Sequence, residues 1–498
     1  MMPITTIRGP DITETVRAAL QFIAVYHTPD YLRQLTLAYQ NEQSPAARSA
    51  IGQILESSRL AATGNRPMCQ DTGMVTVFAK VGQSVVIDGD KSLADYVNDG
   101  VRQAYLDVGN PLRASMVADP IFARRNTRDN TPAVTHVETC VGDTIELLIA
   151  AKGGGSENKA RYTMLNPAAS VADWVVGTVE KLGAGWCPPG LISVGVGGSA
   201  EKAMLLAKRA LMDEIDMGEL QQRGPSSKEE ELRLELFERI NALGIGAQGL
   251  GGLTTVVDVK VASYPTHAAS KPVALMPQCA ANRHAKVTLR GEGPVYLDPP
   301  DLDLWPEIDR SEGTAGMHRI DLDSLTRNDM QNWKPGDRLL LSGKILTGRD
   351  AAHKRIADML SRGEPLPFSL KDRVIYYVGP VDPVGDEVVG PAGPTTSTRM
   401  DAYTQMMLDQ GILSMIGKAE RGPDSTERIA KAGATYLIAV GGAAVLVSKA
   451  ITSARLIAFE DLGMEAVREF EVRNMPVTVA VDGSGQSIHL LGPARWRR

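Results

Sequence analysis

Two periodicities organise the chain. Apolar residues recur at helical spacing over 226–243 (SSKEEELRLELFERINAL), where Leu232, Leu236 and Ile240 form one stripe. Serines and glutamates open that run and Gly244 follows it, the start and stop signals of a scaffold helix. Strand-like runs stand at 144–149 and 374–378. The longest apolar stretch, YLIAVGGAAVLV at 436–447, falls well short of the roughly 20 residues that span a bilayer. It predicts a buried strand with a glycine turn. The pattern breaks most sharply at 291–313, GEGPVYLDPPDLDLWPEIDRSEG, which is rich in proline and acid and reads as a crossing segment. The resulting expectation is a mixed α/β and α+β protein with domains at 1–290 and 315–498, joined by a linker at 291–314. The motifs described below fall in both halves, which places the site in a cleft between them.

Composition narrows the class. A length of 498 residues permits two or three cores, and 43% hydrophobic with 22% charged residues is an ordinary globular balance. Aromatics at 5% offer few platforms for stacking bases. A net charge of −6 argues against a general polyanion binder but leaves room for a local basic pocket. No nucleic-acid or membrane partner is expected. The opening MMPITTIRGPDITETVRAAL lacks a basic segment followed by an apolar one, so no secretory signal is read. Four cysteines are too few for a disulfide scaffold and suit a reducing cytoplasm, where thiols serve as ligands or nucleophiles.

Three of those cysteines sit in glycine- and proline-rich bends: PMCQDTG around Cys69, GWCPPG around Cys187 and PQCA around Cys279. Such bends expose a thiolate and bring backbone N–H groups near its sulfur. Cys140, in VETCVGDTIEL, lies in an alternating pattern and is expected to be a buried structural cysteine. Separations of 118 and 92 residues exclude a local ferredoxin or zinc-finger motif. Should the three converge, they can hold three irons of a four-iron cluster and leave the fourth open, or hold zinc with a water. Composition does not choose between these.

At these motifs the chain resembles the class I, iron–sulfur fumarate hydratases and the related L-tartrate dehydratases. The resemblance runs nearly end to end, through NPLRAS at 110–115, AAKGGGSENK at 150–159, VGVGGSAEKA at 194–203, YPTHAAS at 264–270 and QCAANRH at 278–284. It continues through TGRDAAHKR at 347–355, YYVGP at 376–380, GPTTSTRMD at 393–401, IGKA at 416–419 and EDLGMEA at 460–466. It implies a [4Fe–4S] cluster on Cys69, Cys187 and Cys279, with substrate on the open iron. A larger cluster-binding domain, a smaller swivelling β/β/α-like C-terminal domain and a homodimer are implied as well. The expected reaction is reversible hydration of fumarate to (S)-malate; L-tartrate or mesaconate are the alternatives within the class. A non-catalytic iron–sulfur sensor is the alternative outside it, disfavoured because a sensor needs the cysteines and not the cations.

Arg113, Arg349, Arg399 and Lys418 individually read as solvated side chains, but a dicarboxylate needs such groups convergent. The resemblance gives these four a substrate role, with Gln70, Gly155 and His267 as further contacts. It names Thr395 as the base, tuned by Asp71 and Arg399; charge chemistry alone would name Asp71. The glycines at 153–155 and 195–198 do not form G-x-G-x-x-G and read as N–H nests for a carboxylate or sulfide. His284 and His353 receive no role.

Overall fold

The computed structural model describes residues 4–308 and 316–498. The part of the expected linker at 309–314 therefore lies outside the described residues. The first half opens with three helices, α1 (Gly9–Val25), α2 (Pro29–Asn41) and α3 (Pro45–Gly64), each with proline in its first turn, where a missing N–H costs nothing. Two four-stranded sheets follow. One has the order His284–Leu289, Ile145–Lys152, Met74–Gly82, Val134–Cys140; the other has Val256–Tyr264, Gly190–Gly197, Lys271–Gln278, Arg161–Leu165.

The second half is built on one seven-stranded sheet, whose strands Arg338–Thr347, Val374–Tyr376, Ser414–Gly417 and Thr435–Ile438 run parallel. Val467–Val481 pairs antiparallel with the first and last of these four, so the sheet closes on itself. The apolar stretch at 436–447 divides: Thr435–Ile438 is a buried strand as expected, but beyond Gly441 and Gly442 the chain becomes the short helix Ala444–Lys449. The predicted helix at 226–243 forms over Lys228–Ala242 with Ser227 as its cap; Leu236 and Ile240 are buried. Cys140 ends an edge strand and is only half-buried, a correction to the buried site its alternating pattern suggested.

One apolar core takes residues from both halves, from Tyr31, Ile54 and Met276 to Ile356, Met415 and Ile438. The crossing segment is bound to this body: Val295 N–H donates to Thr15 Oγ1, and the buried Trp305 donates through Nε1 to Ser58 Oγ at 2.8 Å. The C-terminal helix Ile488–Trp496 returns to the first half, where Gly492 lies against the backbone of Leu250 and Gly251. A groove of about 1000 Å³ between α3 and the second-half sheet borders Leu446 and Arg473 but holds no cysteine.

The corner between α1 and α2 fixes two of the cysteine loops. His27 Nε2 bonds the Ala280 carbonyl at 2.8 Å and its Nδ1 meets Ser58 Oγ at 2.7 Å; Tyr31 donates to the Pro189 carbonyl at 3.1 Å. A carbonyl only accepts, so Nε2 carries the proton and Ser58 donates to Nδ1. Burial, partly opposed by the Ala280 carbonyl, pushes His27 down to about 4; burial does the same to His353, whose Nδ1 bonds the Arg349 carbonyl.

Two outcomes are expected. Gly492→Ala places a Cβ 2.5 Å from the Leu250 carbonyl, which should cost about 1–3 kcal/mol, read as a lower urea midpoint at unchanged slope. The two rings stay neutral in the fold while the unfolded chain protonates near pH 6.5, so stability is intact above that pH and falls as pH drops toward 4. His27→Gln should make the urea midpoint less steep in pH across that window.

Candidate active site at the junction of the two halves

Strand register brings the three cysteine loops together. Met74 pairs with Lys152 and Ala150 with His284, so the loops holding Cys69, the glycines at 153–155 and Cys279 leave the same end of the first sheet. Leu191 pairs with Gln278, which puts the loops of Cys187 and Cys279 at one end of the second sheet. Residues 279–283 pass from one sheet to the other and lock the two ends together. Opposite them, the parallel strands of the second half present their carboxyl ends, where α/β sheets commonly bind ligands. Arg349 follows Thr347, Lys418 follows Gly417, and Gly441 lies just beyond Ile438.

Lys418 is the meeting point. Its Nζ stands 3.1 Å from Cys187 Sγ. Burial is the largest influence on Lys418 and works against its charge, yet the sulfurs of Cys187, Cys69 and Cys279 together outweigh it and raise its pKa. A Cβ built on Gly155 would lie 3.5 Å from the same ammonium, and one on Gly441 would lie 2.6 Å from Cys187 Sγ. Glycine at these two positions keeps space open around the thiol and the cation.

Gln70 and Asp71 line the same space. Gln70 Nε2 donates to the Pro394 carbonyl at 3.1 Å, and its Oε1 lies 3.4 Å from Cys69 Sγ. Asp71 accepts from Gly154 N–H at 2.9 Å and faces Arg113 Nη2 at 3.9 Å. Burial alone would raise Asp71; Arg113, Arg283 and Lys418 reverse it, so this carboxyl is held below its usual range. An acid held so low is a weak proton acceptor near neutrality, which counts against Asp71 as the base.

The guanidiniums form a graded series. Arg113 donates to the Gly379 carbonyl at 2.7 Å; burial first, then Arg349, lower it to about 10, partly offset by Asp71. Arg349 pairs with Glu465 at 3.2 Å and Asp350 at 3.4 Å, and Arg399 grips Asp350 at 2.8 and 3.0 Å. Thr395 is buried, with its N–H on the Tyr377 carbonyl at 2.8 Å and its carbonyl accepting from Lys418 N–H at 3.2 Å. Asp350 and Glu465 were not singled out from sequence, although one adjoins Arg349 and the other lies in EDLGMEA.

Two expectations meet a different arrangement. His267 is exposed in the turn after Tyr264, its Nδ1 accepting from Ala269 N–H. The eight-residue strand Lys271–Gln278 separates that turn from Cys279, roughly 25 Å of extended chain, so a single chain does not bring His267 to the other site residues. The glycines at 195–198 are no nest: Gly195 packs on the backbone of Ala203 and Ala207, and Gly197 on Tyr264, as close strand–helix and strand–turn contacts.

Among the described residues, no three His, Cys, Asp or Glu side chains gather tightly enough to share one metal ion. A cluster does not ask this of its ligands, since each thiolate takes a different iron. The residues otherwise fit an anionic sulfur-rich group. Cys69, Cys187 and Cys279 are unpaired thiols, Lys418 is charge-coupled to all three, and buried Arg283 keeps two donors without acceptors. Burial raises the Cys69 and Cys187 thiols, so their deprotonation calls for a cation such as iron.

Residues 13–288 match the family described as fumarate hydratase (Fumerase), and residues 291–491 match the fumarase C-terminus. The chain is 32% identical over 483 residues to the anaerobic class I fumarate hydratase of Escherichia coli K12, covering 93% of this chain and 84% of that protein. Fumarate hydratase 2 of Leishmania major is 32% identical over 497 residues, covering 95% and 86%. A protein of Methanocaldococcus jannaschii described as L(+)-tartrate dehydratase subunit alpha is 33% identical over 281 residues, covering 55% of this chain and 96% of that subunit. With both family regions present in order and relatives aligned along almost the whole length, the chain belongs to the class I fumarate hydratase family.

Proposed function

We propose that this chain is a hydro-lyase that reversibly hydrates fumarate to (S)-malate. The observation that carries the reading is Lys418, a cation from the second half coupled to all three cysteines of the first, beside Asp71 and Arg113. The family relatives aligned along almost the whole chain carry fumarate in their names, whereas the tartrate-related match covers 55% of this chain.

Cys69, Cys187 and Cys279 would hold a [4Fe–4S] cluster. Bound there, such a cluster supplies an open iron as a Lewis acid toward the hydroxyl that is gained or lost. The chain does the rest. Arg113, Arg349, Arg399 and Lys418 hold the two carboxylates and so fix the orientation before reaction. Gln70 and the Gly155 backbone limit where the hydrated carbon sits. The same cations disperse negative charge that builds on the carboxylate as the neighbouring C–H bond breaks. Thr395 takes that proton, with Arg399 four residues further on in the 3₁₀ helix Ser397–Tyr403 and Asp71 kept ionised by its neighbours.

His267 can serve this site only if a second copy of the chain delivers it, so its role and the homodimer stand together. Residues 1–290 and 315–498 act as the two domains, the second of the swivelling β/β/α-like type. A cytoplasmic setting suits four unpaired cysteines. Among the described residues, no helix is long and apolar enough to cross a membrane.

Anaerobic reconstitution with iron and sulfide, followed by fumarate, L-tartrate and mesaconate assays, tests the reading. Fumarate should turn over fastest, and brief air should abolish it; absence of bound iron and sulfide, or preference for another acid, would overturn it. Thr395→Ala should lower kcat by about 10²–10⁴ while leaving the cluster absorbance unchanged; turnover at the wild-type rate removes Thr395 from the mechanism. Gly441→Ala, whose Cβ falls 2.6 Å from Cys187 Sγ, should bind less iron per chain in the same reconstitution.

A further inference from the structure

Arg283 lies in the segment that passes between the two sheets, four residues after Cys279. It is 2% exposed, and its guanidinium offers N–H donors in a planar fork and no acceptor. Nη1 donates to the Asp71 carbonyl at 2.7 Å, while Ala151 N–H holds the Arg283 carbonyl at 3.1 Å. Nε and Nη2 are buried with no acceptor among the described residues. Folded proteins rarely leave a charged donor in that condition, so these two groups point to something that accepts there.

The surroundings define the acceptor. A Cβ on Gly153 would lie 3.5 Å from Nη2 and 3.1 Å from Asp71 Oδ2, so the glycine leaves a gap into which the guanidinium faces. Cys69 and Asp71 both feel the Arg283 charge. The guanidiniums assigned to substrate are more open, with side-chain exposure rising from 10% at Arg113 to 41% at Arg399. Arg283 sits deeper, on the cysteine side.

We infer that Nε and Nη2 of Arg283 donate hydrogen bonds to the sulfur of the iron–sulfur cluster, an assignment that rests on the function proposed above. Donors at the sulfur of an anionic cluster favour its more reduced state and hold its irons more firmly. The planar fork matters as well as the charge, since lysine cannot place two parallel donors.

The test uses the full chain, reconstituted without oxygen, as wild type, Arg283→Gln and Arg283→Lys. Cluster potential is read by electron paramagnetic resonance during a redox titration, and iron release by a chelator. Arg283→Gln should move the potential negative and speed iron release roughly tenfold or more; Arg283→Lys should fall between the two. If the glutamine variant does not fold, the lysine variant carries the same comparison against wild type. Potentials equal to wild type with only a lower urea midpoint would reduce Arg283 to a structural residue and overturn the assignment. A lysine variant equal to wild type would leave charge alone and overturn the hydrogen bonds. A wild-type chain that takes up no iron and sulfide would sink the proposed function itself, and this assignment with it.

Discussion

Buried positive charge in a pocket of sulfur is the constraint on which this structure turns. Lys418, Arg113 and Arg283 come from different elements and meet over three thiols and the Asp71 carboxylate. Asp71 by itself does not balance them, and burial raises the Cys69 and Cys187 thiols. An arrangement of this kind is costly without an anionic occupant. A dicarboxylate and a thiolate-bound cluster are such occupants, and the outer guanidiniums of Arg349 and Arg399 are meanwhile kept in place by Glu465 and Asp350.

The scaffold meets that constraint by register rather than by local motif. No short run of sequence contains the site. Three loops leave matching ends of two sheets because Met74 pairs with Lys152, Ala150 with His284 and Leu191 with Gln278. The second half then offers the carboxyl ends of its parallel strands. Arg66 ties the two sides further, with Nε on Glu387 at 3.0 Å and Nη2 on the Asp382 carbonyl at 2.8 Å. A slip of one residue in any of these strands would turn its side chains over and carry a ligand off the site.

Much of this was legible in the sequence, and for stated reasons. The helix at 228–242 announced itself through a cap, a stripe and a stop. The cysteine bends, Gln70, Asp71, Arg113 and Lys418 stood in motifs long enough to carry a family resemblance. Harder to read were features in which long-range packing outweighs local pattern. Alternation placed Cys140 in a strand but could not say that the strand lies at an edge. The glycines at 195–198 looked like an anion nest and proved to be close-packing positions, because a missing Cβ serves both uses. His267 shares a motif with the site yet sits at the far end of the strand Lys271–Gln278 from Cys279, a separation that only the direction of that strand reveals. Arg283 was passed over because nothing in QCAANRH says which of its donors will find partners.

The halves contribute unequally to the thiol pocket, and this imposes an order on its making. A chain emerging from the ribosome presents all three cysteines by residue 279, but Lys418 and the close wall at Gly441 come only with the last fifth of the sequence. The thiol pocket is therefore closed only where the second half packs on the first, and it belongs to neither half alone.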